Sequence, residues 1–338
     1  MSFGVCYNIK DRLNTWRKCV LNHKKIQRLF INSTSILVAA FVAFTSINAT
    51  TIEANAEEYT AEAATEQEFA GFDVSAALVA SPVTGKLIYT QGALDRLEPA
   101  STTKIMTALL VVEAIESGQI SLDTQVAVSA TAVAANPSDA SHVTPRFQPG
   151  EILTVDQLLS AVMISSDCLC CDVLAELVAG SVDNFVAMMN ARAVQIGCYD
   201  TNFTNPSGYP DTNMYTNAYS LYLIIATAIA HPIFNQYFSL ASTIIPATNL
   251  CPGPRGLVNT NALMLPGNTY YNPAVVGGKT GTANRAGQCL VTLAQKEGKT
   301  LISVVLGGKN RKLEDGTTIS TRYYETNRLL DLGFANYW

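Results

Sequence analysis

The spacing of apolar and polar positions divides this chain into early strands, a long helical middle and a late run of strands. Residues 74–79 and 86–89 have strand-like composition, and Ser81-Pro82-Val83-Thr84-Gly85 between them is rich in turn formers, which predicts a hairpin. Residues 99–113 begin with Pro99 and small side chains and run on into unbroken apolar residues, the pattern of a helix start followed by a helix buried on most faces. Residues 153–178 keep a helical period with a break at Ser165-Ser166-Asp167; residues 183–196 form a further helix closed by Gly197, and residues 221–229 another that stops near His231-Pro232. Asn205-Pro206-Ser207-Gly208 reads as a turn. After a Pro- and Gly-rich loop at 246–254, residues 274–282, 288–294 and 300–306 are close enough to form a meander, and residues 321–333 give a closing helix. Strands at both ends with helices between them predict an α/β (α+β) fold: one antiparallel sheet built from both termini, flanked by helices, with an inserted, mostly helical lobe.

Composition supports a real core, since 48% of the 338 residues are hydrophobic. Charge is unevenly placed: seven of the 22 basic residues (Lys10, Arg12, Arg17, Lys18, Lys24, Lys25 and Arg28) precede position 30. A short apolar stretch at 36–44 follows, then Ala54-Asn55-Ala56, so residues 1–56 have the parts of a signal peptide or an N-terminal membrane anchor. Residues 57–70, acidic and without an apolar period, read as a solvated linker, and 71–338 as the folded domain. Loss of 1–56 would leave 15 basic against 25 acidic side chains, a net charge of about −10. Nucleic acid is therefore excluded as the main partner, and a membrane would be met only through the N-terminal segment. Six of the eight cysteines follow the leader: Cys168, Cys170, Cys171, Cys198, Cys251 and Cys289. Their pairing is not legible, and the cluster at 168–171, with no histidine nearby, reads as small buried hydrophobes rather than a metal site.

Three short motifs carry chemistry. Ser101-Thr102-Thr103-Lys104 puts an amine on the same helical face as a hydroxyl, the geometry of a nucleophile beside its base. A lysine serves as a base only where apolar surroundings disfavour its charge, and Ile105, Met106 and their neighbours supply such surroundings. Alone, the tetrapeptide is common on ordinary helices. The three histidines offer no better base: His23 lies in the leader, and His142 and His231 sit in loop or helix-end contexts. No Gly-x-Ser-x-Gly elbow is present, so a Ser-His-Asp hydrolase is poorly supported. Lys279-Thr280-Gly281, on a strand with Gly277 and Gly278, offers a cation and a hydroxyl to a carboxylate beside a backbone that a peptide can approach closely; a protective lysine on an edge strand is the plainer account. Ser166-Asp167-Cys168 places a hydroxyl at the break between helices, where it could relay a proton or simply cap a helix.

Together these motifs resemble the active-site set of penicillin-interacting serine enzymes. The resemblance extends to Pro99-Ala100-Ser101-Thr102-Thr103-Lys104-Ile105-Met106-Thr107, Phe203-Thr204-Asn205-Pro206-Ser207-Gly208, Asn259-Thr260-Asn261 and Lys279-Thr280-Gly281-Thr282, which look like the low-molecular-mass D-alanyl-D-alanine carboxypeptidases. It implies a β-lactamase/transpeptidase-like fold and an extracytoplasmic enzyme without cofactor or metal. The implied reaction removes the terminal D-alanine of a peptidoglycan stem peptide, with β-lactams as covalent inhibitors. Ser101 would be the nucleophile, Lys104 its base and Ser166 the proton relay. The N–H groups of Ser101 and Thr282 would hold the oxyanion. Lys279, Thr280, Gly281, Thr282, Cys168 and Arg322 would bind substrate, with Arg255 a weaker candidate for the terminal carboxylate.

Two departures from the family pattern stand out. Cys168 occupies a position where the family usually has asparagine, and a thiol hydrogen-bonds more weakly than an amide. The chain ends at Trp338, so the C-terminal β-rich domain of many relatives is expected to be absent. A transpeptidase differs only in the acceptor. A β-lactamase is disfavoured because no Glu-x-x-x-Asn element appears between 179 and 265, and a catalytically silent wall-binding protein rests on Cys168 alone.

Overall fold

The structure, a computed structural model, describes residues 71–140 and 142–337; the expected leader (1–56) and acidic linker (57–70) lie outside the described residues. Strands β1 (Ala76–Ala80) and β2 (Leu87–Gln91) form the predicted hairpin. A 3₁₀ turn over Ala100–Thr103 runs directly into helix α1 (Lys104–Glu116). The helix expected to start at Ser101 thus begins one turn later: both the N–H and the hydroxyl of Thr102 bond to the Pro99 carbonyl, which tightens the first turn. Every residue from 104 to 112 is buried, which is why the sequence shows a continuous apolar run instead of a stripe.

Around α1 the lobe is assembled from β3 (Gln125–Ala127), α2 (Ala130–Ala135), β4 (Ile152–Thr154), α3 (Val155–Met163), α4 (Leu169–Ala179), α5 (Val182–Ile196), α6 (Ala218–Ala228), α7 (Pro232–Phe238), β5 (Ser242–Ile245) and β6 (Arg255–Val258). The chain then returns to the sheet with β7 (Val275–Ala283), β8 (Gly287–Lys296) and β9 (Lys299–Gly308), followed by the small ribbon β10 (Asn310–Lys312) and β11 (Thr318–Ser320) and by helix α8 (Thr321–Ala335). Side-chain caps appear where the sequence offers them: Thr154 and Gln157 make a capping box on α3, and Gly180 and Gly197 close α4 and α5 in left-handed conformations. The ribbons β3–β4, β5–β6 and β10–β11 were not foreseen; at three or four residues per strand they are too short to show a period.

The five-stranded sheet has the order β2-β1-β9-β8-β7 and is antiparallel throughout, so both ends of the domain share one sheet. Leu78, Val304 and Val291 stand side by side and face the lobe, whereas Ala77, Val79, Val305 and Leu290 pack under Leu329 and Leu330 of α8. With both faces covered, the central strands read as apolar runs rather than as alternating patterns. Lys279 lies in register with Val291, which places the β7 lysine at the junction of sheet and lobe. Among the described residues, no single helix is long and apolar enough to cross a membrane.

One buried ion pair ties the lobe together. The Arg255 guanidinium, at the start of β6, lies 2.8 Å from Glu151, with side-chain exposures of 1% and 0%. It also donates to the Pro145 carbonyl at 2.7 Å and sits over the Phe147 ring, while Glu151 accepts from the Thr248 hydroxyl and the Gln148 N–H. Arg255, a candidate for the substrate carboxylate, is instead committed to a carboxylate of its own chain. Arg255→Met is expected to cost about 3–5 kcal/mol in urea unfolding, because it strands Glu151 uncompensated, and Glu151→Leu added to it should recover most of the loss. A single variant within about 1 kcal/mol of the parent would show that the pair does not hold this segment.

Candidate active site

Ser101 occupies the 3₁₀ turn and Lys104 the first position of α1. The tight turn brings the Lys104 amine to 2.8 Å from Ser101 Oγ, and the lysine is fully buried. Two other segments complete its shell: the Ser207 carbonyl at 2.7 Å and Cys168 Sγ at 3.4 Å. Ser207 is delivered by the predicted turn, in which the Asn205 side-chain oxygen accepts from the N–H groups of Ser207, Gly208 and Tyr209. Gly208 has φ +78° and approaches so closely that a Cβ there would overlap the Ala100 carbonyl.

The break between α3 and α4 presents Ser166 in a left-handed conformation, φ +64°, rare for a residue with a side chain. Neighbouring bonds hold it there. The Asp167 carboxylate accepts from the N–H groups of Cys170 and His142, and Cys168 N–H donates to the Ala140 carbonyl. Ser166 Oγ meets Lys279 Nζ at 2.8 Å, so the hydroxyl expected to relay a proton is held by the lysine of β7. Burial, and then the positive charge of Lys104, pull the fully buried Lys279 amine well below the ordinary lysine range. His142, set aside as a loop residue, places Nδ1 3.2 Å from the Ser166 carbonyl. Burial and the Lys104 charge lower its pKa as well, which favours the neutral ring. Nothing in its local sequence marks it, because its partners lie some 25 residues away in the chain.

Strand β7 is the last of the sheet, with β8 on one side and the Ser101 turn against the other. A Cβ on Gly281 would lie 2.9 Å from Ser101 N and 3.0 Å from the Pro99 carbonyl, so only glycine lets the strand pass this near Ser101. Thr280 Oγ1 meets Thr260 Oγ1 at 2.5 Å, and the Thr260 carbonyl is fixed by Tyr323. Arg322, in the first turn of α8, donates to the Gly281 carbonyl at 2.9 Å and to Thr282 Oγ1 at 2.8 Å. Ser101, Lys104, Ser166, Cys168, Lys279, Thr280, Gly281, Thr282 and Arg322 thus meet around one cleft. The Ser207 carbonyl, Thr260 and His142 join them. The first was hidden because a backbone oxygen carries no sequence label. Among the described residues no group of three or more histidine, cysteine or acidic side chains could hold a metal.

Residues 61–310 match the sequence family described as D-alanyl-D-alanine carboxypeptidase, peptidase S11. The D-alanyl-D-alanine carboxypeptidase DacF of Bacillus subtilis is 30% identical over 254 residues, covering 75% of this chain and 60% of that protein. The fold superposes on a D-alanyl-D-alanine carboxypeptidase of Mycobacterium tuberculosis with a TM-score of 0.69 and 26% identity, over 82% of this chain and 96% of that one. It also superposes on a cysteine-to-asparagine mutant of a Streptomyces DD-transpeptidase, with a TM-score of 0.65 and 27% identity, over 78% and 99% of the two chains. The chain spans about 60% of the length of the curated relatives DacF and the Escherichia coli DacC. The family profile covers the strand hairpin, the lobe and the three strands that close the sheet, and this chain belongs to the D-alanyl-D-alanine carboxypeptidase family.

Proposed function

We propose that this protein is a serine DD-carboxypeptidase that removes the terminal D-alanine from peptidoglycan stem peptides through an acyl-enzyme on Ser101. The observation that carries this reading is the buried Lys104 amine 2.8 Å from Ser101 Oγ, with Lys279 on the far side of the same cleft. Lys104 takes the hydroxyl proton as Oγ attacks the carbonyl between the two D-alanines. The Ser207 carbonyl and Cys168 keep the amine aimed at Oγ. The backbone N–H groups of Ser101 and Thr282 receive the oxyanion, a contribution worth about 10² to 10³ in rate per donor. Ser166, held by Lys279, passes a proton to the departing D-alanine, and water then releases the acyl group.

The terminal carboxylate would lie against Lys279, Thr280 and Arg322, while the peptide backbone runs beside β7. In the empty site two lysine amines face each other in a buried space, which makes a second proton costly. An incoming carboxylate offsets that cost and favours a protonated Lys279. Such a substrate places the site outside the cytoplasm, and the same geometry would accept β-lactams as slow acylating analogues. Transpeptidation uses the same acyl-enzyme with an amine in place of water, and the likeness to a Streptomyces DD-transpeptidase keeps it as a second reading.

Incubation with a diacetyl-lysyl-D-Ala-D-Ala peptide is expected to release D-alanine, and an added amine acceptor reports any transpeptidation. Ser101→Ala should abolish both the release and labelling by a fluorescent penicillin; no release from the parent protein, or labelling that survives the substitution, sinks the proposal. Cys168→Asn replaces a weak acceptor beside Lys104 with an amide oxygen and should preserve turnover or raise it, on the order of a fewfold. A clear fall would mean that the thiol is not a handicap. Because kcat/KM requires a protonated Lys279 in the free enzyme, it should decline with rising pH well before an ordinary lysine titrates, and Lys279→Arg should move that limb upward. A limb that stays in place assigns it to another group.

A further inference from the structure

Helix α4 opens with Cys168-Leu169-Cys170-Cys171, which sets two thiols at Cys-x-x-Cys spacing on a helix N-terminus. Cys168 is the N-cap residue, and the Cys171 N–H donates to its carbonyl at 3.1 Å. Helical residues three apart have Cα atoms about 5 Å from one another, inside the roughly 4.4–6.8 Å that a disulfide spans. Cys170 is two residues from Cys168 and one from Cys171, spacings whose side chains do not face each other on a helix. Cys168 is 4% exposed and borders the cleft: its sulfur is 3.4 Å from the Lys104 amine, which in turn lies 2.8 Å from Ser101 Oγ. Cys171 is wholly buried behind it, its sulfur 3.3 Å from the Asp167 carbonyl. Burial pushes the Cys171 thiol up, and Lys104 and Cys168 follow as its strongest charged influences; both thiols also act on Lys279. Two thiols and two amines therefore form one cluster under the nucleophile, with the more accessible sulfur in front.

We propose that Cys168 and Cys171 are a reversible thiol–disulfide site in the floor of the cleft, oxidised by small disulfide-bearing molecules, and that the resulting bond slows acylation of Ser101. Lys104 takes the Cys168 proton, and the thiolate attacks one sulfur of the incoming disulfide. A mixed disulfide forms on Cys168 and the first half of the reagent leaves as a thiolate, which takes that proton back from Lys104. Cys171 displaces the second half and its proton passes to that departing thiolate, so two protein thiols become one disulfide while one small disulfide becomes two thiols. A small thiol in excess reverses both exchanges. The bond draws Cys168 Sγ towards Cys171 and away from Lys104, removing one of the three contacts that orient the amine and locking the segment that carries Ser166.

The effect on rate rests on the acyl-enzyme reading, whereas formation of the bond does not. The full chain is treated with hydroxyethyl disulfide, mapped by non-reducing peptide mass analysis, and assayed for the rate of acylation by fluorescent penicillin. A peptide linked through Cys168 and Cys171 is expected, with acylation slowed by about tenfold, the equivalent of one lost contact to a charged group, and recovered on adding a thiol reductant. Cys171→Ala should acylate like the parent when reduced and should stop at the mixed disulfide on Cys168 when oxidised; Cys171→Ser serves the same purpose if alanine leaves the core too loose. Absence of the 168–171 link after oxidation, or a link that leaves the rate unchanged, overturns the proposal. If the reduced protein is not acylated at all, the proposed function fails, and the peptide map still decides whether the bond forms.

Discussion

A buried lysine amine must find its hydrogen-bond partners inside the protein, and Lys104 finds them on three separate segments. Ser101 comes from the turn before its own helix, Cys168 from the N-cap of α4, and the Ser207 carbonyl from the turn at 205–208. Each acceptor is then stiffened from behind. Asn205 organises the Ser207 turn, Asp167 organises the start of α4, and the Thr102 hydroxyl and N–H on the Pro99 carbonyl tighten the turn at Ser101. All three segments belong to the lobe inserted between the first two and the last three strands of the sheet.

The sheet contributes the second amine. Because β7 is the edge strand and Gly281 carries no Cβ, the backbone passes within van der Waals reach of the Ser101 turn, and Lys279 enters the same buried space from the opposite wall. Two amines in one low-dielectric site cannot both be cheaply charged. That constraint couples the two lysines electrostatically, burial and Lys104 together lowering the Lys279 amine. A ligand carboxylate beside Lys279 would offset the burial that disfavours its charge. Arg322 is half-buried and committed to the Gly281 carbonyl and Thr282 hydroxyl, so it positions the strand even before a ligand arrives.

What was legible in the sequence follows from the range over which each feature is encoded. Ser101 and Lys104 are three residues apart, and the apolar helix behind them could be read because its burial extends all round. The late strands could be read because α8 and the lobe cover both faces of the sheet and make each strand an apolar run. Hidden features depend on pairing across long stretches of chain. His142 reaches Ser166 where Asn136 bonds to Asp172 of α4 and the Ala140 carbonyl accepts from the Cys168 N–H. The Arg255–Glu151 pair, 104 positions apart, gives no local sign that the arginine is already occupied. The Ser207 carbonyl is hidden for another reason, since main-chain acceptors are common to every residue type.

Cys168 shows how a side chain can satisfy packing while leaving function adjustable. An amide at this position would bond Lys104 firmly and keep N–H donors free, but it has no redox chemistry. A thiol binds the amine less well, yet the Ser207 carbonyl at 2.7 Å already supplies the strong contact, so geometry survives the weaker partner. In return the site holds a sulfur next to a lysine amine and one helical turn from a second sulfur, which asparagine could never provide. The chemical difference between the two side chains therefore lies less in how they hold the lysine than in what each can become under oxidation.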